Sequence, residues 1–131
     1  MDSLKISKKD TTPELSFDLD EMVFSIEGEC RPENVLTYFE PIMQWLDQLI
    51  DEVKHNETQK KLDFHFKLEY YNSSSAKFIF QMFKRFKKIE ACNIEVTMYW
   101  FYDVLDEDLL ECGEEYEKIL DLNFKYIALQ D

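Results

Sequence analysis

The run Asn72-Ser73-Ser74-Ser75 offers three adjacent hydroxyls beside a carboxamide, between a hydrophobic alternating segment and an amphipathic one. The chemistry open to such a run is acceptance of a phosphoryl group. Where a helix starts, backbone N–H groups lack intrahelical partners and the positive end of the helix dipole favours negative charge. A phosphate there adds about −1.5 to −2 charge and three acceptor oxygens. The same residue types also serve as plain helix caps. Spacing alone does not choose between the two readings, nor does it say which serine is the acceptor.

Other reactive residues form no competing constellation. His65 lies between Asp63 and Lys67 in an alternating segment, and His55 stands near a helix end. Neither has metal-ligand spacing to Cys30, Cys92 or Cys112, so no metal site is expected. A hydrolase using Ser73 and His65 would still need an orienting acid and an oxyanion hole. The carboxylates Asp103, Asp106, Glu107, Asp108, Glu111, Glu114 and Glu115 lack the pattern of a calcium loop. They read as a solvated acidic face or as a docking surface for a basic partner. There is no glycine-rich phosphate loop, nucleophile elbow or kinase signature, so the chain is expected to receive phosphate, not to transfer it, and to need no cofactor.

The elements that must position the serines follow from periodicity. Leu15, Phe17 and Leu19 alternate with polar residues, as do Met22, Phe24 and Ile26, which predicts a hairpin closed at Asp20-Glu21. Gly28 to Pro32 breaks that pattern, and Pro32-Glu33 suits a first helical turn. Apolar residues from Val35 and Leu36 through Val53 repeat at three and four, with Pro41 expected to kink the helix or shorten its first turn. After a polar connection over 55–61, Leu62 to Tyr71 is the clearest strand, and a second helix opens at the serines. Ile94 to Tyr102 reads as a strand and Asp106 to Leu120 as an acidic helix whose continuity Gly113 puts in question. Phe124 to Ala128 closes the chain as a short strand.

The expected fold is therefore α/β: a single domain over residues 1–131, with residues 1–12 a polar lead-in and the order β-β-α-β-α-β-α-β. Strands separated by helices favour right-handed crossovers and a mixed sheet with packed helices. The alternation in Leu62 to Tyr71 hints that one sheet face is solvated. Eleven Phe, seven Tyr and 45% hydrophobic residues are ample for one core. A net charge of −13 argues against nucleic acid and anionic membrane as partners and makes basic protein surfaces better ones. Scattered cysteines, with no apolar targeting core or membrane-length run, point to the cytoplasm.

The run Tyr70-Tyr71-Asn72-Ser73-Ser74-Ser75-Ala76-Lys77 after an alternating strand resembles the signature of the SiaC family of bacterial regulatory phosphoproteins. Thr12-Pro13-Glu14, Gly28 to Asn34, Trp100 to Asp103 and Gly113-Glu114-Glu115 agree with it, so the resemblance spans Thr12 to Phe124. It implies a STAS-like fold similar to anti-sigma-factor antagonists, whose strand-to-helix junction is phosphorylated. It also implies that the acceptor follows the asparagine, which here is Ser73, a serine where the best-described member has threonine. Asn72 would orient the turn or contact a partner, Ser74 and Ser75 would cap the helix or bind the phosphate, and Lys77 would neutralise it. The implied partners are a SiaB-like protein kinase, a PP2C-type phosphatase and an effector such as a diguanylate cyclase, bound and regulated by the unphosphorylated form. The alternative is a constitutive acidic adaptor in which the serines act only as caps.

Overall fold

The computed structural model describes residues 1–55 and 61–130; most of the expected polar connection, residues 56–60, lies outside them. A six-stranded mixed sheet is built from β1 (Leu4–Ile6), β2 (Glu14–Asp18), β3 (Val23–Cys30), β4 (Lys61–Tyr71), β5 (Glu95–Asp103) and β6 (Asn123–Leu129). These lie side by side in chain order. Strands β1, β2 and β3 pair antiparallel, and β3 to β6 pair parallel. Helices α1 (Val35–Val53), α2 (Ser73–Glu90) and α3 (Glu107–Leu120) make the three crossovers.

Four parallel strands added in one direction through right-handed crossovers put every helix on the same face. The burial pattern agrees. On β4, Leu62, Phe64, Phe66 and Leu68 are buried while Asp63, His65 and Lys67 are only half-buried. One face is the core, and among the described residues the other carries no helix. The hint in the β4 alternation thus has its cause.

The core is aromatic and continuous. Trp100 stacks on Phe66 with ring centres 4.1 Å apart, Phe17 stacks on Phe24 at 4.6 Å, and Phe64, Phe83 and Phe86 fill the space under α2. Each fully buried Phe side chain contributes about 1.5–3 kcal/mol relative to an exposed one. A sheet covered on one face is held chiefly by this layer.

Four local expectations need correction. The polar lead-in contains a strand: Leu4 and Ile6 pair with Phe17 and Leu15 and pack on the core, because two apolar residues at a spacing of two suffice for an edge strand. Gly28 does not end β3. It adopts φ +115°, and the register shifts there because β4 bulges at Glu69 (Gly28 faces Leu68, Glu29 faces Tyr70), so β3 continues to Cys30. Helix α1 begins after Pro32-Glu33, because Asn34 is the cap and its Oδ1 accepts the Thr37 N–H at 3.2 Å. Its residues run on through Pro41 as one helix. Gly113 does not interrupt α3 either. A Cβ there would sit 2.8 Å from the Trp100 ring, so glycine is required by close packing of α3 on β5.

Candidate functional site

Ser73 is the first residue of α2, directly after β4, and its side chain is exposed. Asn72 holds the junction. Its backbone is extended (φ −81°, ψ 168°), and its Oδ1 accepts the Ser75 N–H at 3.0 Å and the Ser74 hydroxyl at 3.1 Å. The Asn72 N–H donates to the Cys30 carbonyl at 3.1 Å, which fastens the turn to β3. Capping therefore falls to Asn72, not to Ser74 or Ser75 as expected, because a carboxamide reaches the third N–H of the turn from the β-region. The N–H groups of Ser73 and Ser74 precede any carbonyl four residues back within the helix.

The three serines separate into different environments. Ser73 and Ser74 are exposed, whereas Ser75 is fully buried. The Cys30 thiol donates to Ser75 Oγ at 3.4 Å, and burial pushes that thiol's pKa up. Ser75 is thus a core residue under the junction, and its hydroxyl is not presented to a phosphate or a partner. Lys77 is exposed, and positions 73 and 77 share one helix face. The first turn of α2 contains no acidic residue.

Tyr71, just before the cap, packs edge-on against Phe66, and burial raises its phenol above the usual range. His65 lies on the open face, edge-on to Tyr99 and Phe101 at 4.9 and 5.8 Å. Burial, then Lys67, lower its pKa, with Asp63 opposing. About 20 Å of strand separates His65 from Tyr71, so it does not meet Ser73. His55 is exposed just beyond α1. Among the described residues no cluster of His, Cys, Asp and Glu has the makings of a metal site, and no helix is long and apolar enough to cross a membrane.

The tertiary structure adds a feature the sequence did not announce. Seven large hydrophobic side chains are exposed among the described residues. Five of them, Leu36, Tyr70, Val104, Leu105 and Leu129, lie at the carboxyl ends of the parallel strands or on the helix start that follows, the same rim as Ser73. Periodicity assigns Leu36 and Tyr70 to buried stripes, yet they are 55% and 50% exposed. A signal existed for Val104, Leu105 and Leu129, which lie outside every strand and helix read from periodicity, where no apolar stripe claims them.

A protein-family model described as SiaC family regulatory phosphoprotein matches residues 6–129. The chain belongs to the SiaC family. Among curated proteins it is similar to the uncharacterized protein PA14_02130 of Pseudomonas aeruginosa (strain UCBPP-PA14), 25% identical over 118 residues and 90% of each chain. Among solved structures it is similar to apo-SiaC from Pseudomonas aeruginosa, at TM-score 0.82 and 23% identity over 96% of this chain and 98% of that one. It is also similar to a chain of the complex between the diguanylate cyclase SiaD and its activator SiaC, at TM-score 0.83 and 24% identity over 96% and 99%. These likenesses establish the SiaC fold for this family member.

Proposed function

We propose that this protein is a phosphorylation-controlled protein-binding switch, one regulatory domain over residues 1–131, with Ser73 as the acceptor. The observation that carries the reading is the exposed Ser73 hydroxyl at a helix start that holds no negative charge of its own, on a rim of exposed apolar side chains. An added phosphate meets the dipole and the first-turn N–H groups, with Lys77 one turn on along the same face. The same phosphate sets a hydrated double charge on the rim that carries Tyr70 and Leu36, where a partner would need dry contact. Asn72 and Ser74 shape the turn that a visiting kinase grips.

In this reading the unphosphorylated form binds and regulates an effector, and phosphorylation releases it. The family and the SiaD complex of the similar SiaC protein support a diguanylate cyclase as that effector. A SiaB-like kinase and a PP2C-type phosphatase complete the cycle in the cytoplasm. The protein itself is a binding module, not an enzyme.

The test is direct. Purified protein incubated with its partner kinase and ATP is expected to gain one phosphate, mapped by peptide mass spectrometry to Ser73, and Ser73→Ala to gain none. Modification elsewhere with Ser73 untouched would refute the assignment. A pull-down of the cyclase with both forms separates the switch from a constitutive acidic adaptor, which would bind equally well either way.

A further inference from the structure

The two edges of the sheet are treated differently. Strand β1 is three residues long and is followed by Lys8 and Lys9, the short, charged form that discourages further pairing. Strand β6 is seven residues long, pairs among the described residues only with β5, and ends Tyr126-Ile127-Ala128-Leu129 without a charge. The Leu129 carbonyl accepts the Val104 N–H at 2.9 Å, so Leu129 turns its backbone groups toward β5. Backbone groups alternate sides along a strand. Phe124, Tyr126 and Ala128 therefore point their N–H and C=O outward from the sheet.

The two flanks of that edge have distinct chemistry. Beside its carboxyl end, on the rim between the open face and the start of α3, lies a groove of 660 Å³ lined by Lys67, Phe101, Leu105 and Leu129 and by the carboxylates of Asp103 and Asp106, among others. On the helix face, Glu117 of α3 is bonded to the Tyr126 hydroxyl at 2.7 Å, which brings α3 against β6. Helix α3 carries Glu107, Asp108, Glu111, Glu114, Glu115 and Glu117 against the single cation Lys118.

We propose that β6 docks an extended segment of a partner protein as a seventh strand, a segment that alternates apolar and basic residues. Main-chain hydrogen bonds to Phe124, Tyr126 and Ala128 supply the pairing, and side chains of an added strand fall alternately on the two faces. Apolar ones enter the groove by Phe101 and Leu129; basic ones meet the carboxylates of α3. Charge complementarity selects this occupant, since a second copy of the chain would bring like charge to like. The site is separate from Ser73, and its test does not depend on the switch.

The probe is an acetylated, amidated (Lys-Val)5 peptide, with (Glu-Val)5 as control, added to the full-length protein. Saturable binding by calorimetry is expected, with amide exchange at Phe124, Tyr126 and Ala128 slowed at least tenfold by NMR and that at Lys125 unchanged. The Ala128→Pro variant removes one outward N–H and leaves the β5 ladder intact. It is expected to weaken binding at least tenfold, with circular dichroism and melting unchanged; should it misfold, the exchange pattern of the unmodified protein decides. Absence of saturable binding, binding of (Glu-Val)5 as well, binding without protection of those amides, or undiminished affinity in a folded Ala128→Pro protein would each overturn the proposal. So would a concentration-dependent dimer of the protein alone that protects the same amides.

Discussion

Helices α2 and α3 start in the same way and are charged in opposite ways. Each follows a parallel strand onto the same rim, and each is capped by an Asx side chain that accepts the third N–H: Asn72 from Ser75, Asp106 from Leu109. At α3 the cap itself is a carboxylate and Glu107 and Asp108 follow it. At α2 the cap is neutral and Ser73 and Ser74 follow it, with no acidic residue in the turn. A helix N-terminus gains about 0.3–1 kcal/mol from a nearby negative charge. The α3 junction has that stabilisation built in, whereas α2 leaves it unfilled. The difference shows that folding does not require the charge at α2, so its arrival there can act as a signal without remaking the core.

The largest expected effect concerns how firmly α3 is seated. Gly113→Ala adds a Cβ against the Trp100 ring, and overpacking of this kind costs about 1–3 kcal/mol. Better helix propensity returns up to about 1 kcal/mol. Urea unfolding is expected to show net destabilisation; unchanged stability would mean that α3 can shift, and the two junctions would then differ in rigidity as well as charge. Next come the caps. Asn72→Ala and Asp106→Ala should each lose about 1 kcal/mol, with the greater loss at Asp106, where a charge leaves with the hydrogen bond. A greater loss at Asn72 would reverse the comparison.

A smaller effect has opposite signs at the two sites. Ser73→Asp should stabilise by about 0.3–1 kcal/mol and Glu107→Gln should destabilise by a similar amount, both fading in high salt. Thermal melts at low and high ionic strength check this, and the same Ser73→Asp protein should bind the effector more weakly. Smallest is a background pH dependence. His65 is held below its ordinary value of 6.5, first by burial and then by Lys67. As pH falls through 6.5 the unfolded chain takes up a proton that the folded one resists, so the stability present above 6.5 declines until the folded-state pKa is reached. His65→Gln should flatten the slope in that window, and no such flattening is expected from substitutions at the rim.

Much of this was legible because periodicity and capping are local. The alternation from Leu62 to Leu68, the α1 stripe from Phe39 to Val53 and the strand-serine-helix junction all follow from residues a few positions apart, and the structure bears them out. The pattern misled where a distant neighbour decided the outcome. Gly113 reads as a helix breaker until the Trp100 ring is set against it. Gly28 reads as a strand end until β4 supplies a partner on the far side of the bulge. Three serines in a row look equivalent until α2 turns Ser75 inward onto Cys30.

By itself, then, the sequence determined the order of strands β2 to β6 and of the helices between them, and that a hydroxyl stands at the start of α2, because hydrogen bonding and side-chain spacing within a segment settle those. Only the tertiary structure decided that α1, α2 and α3 share one face, that five exposed hydrophobic side chains gather on the rim of Ser73, and that among the described residues β6 keeps a free edge. Those follow from the order and hand of the crossovers, which bring together residues as far apart as Leu36 and Leu129, and no local pattern carries that information.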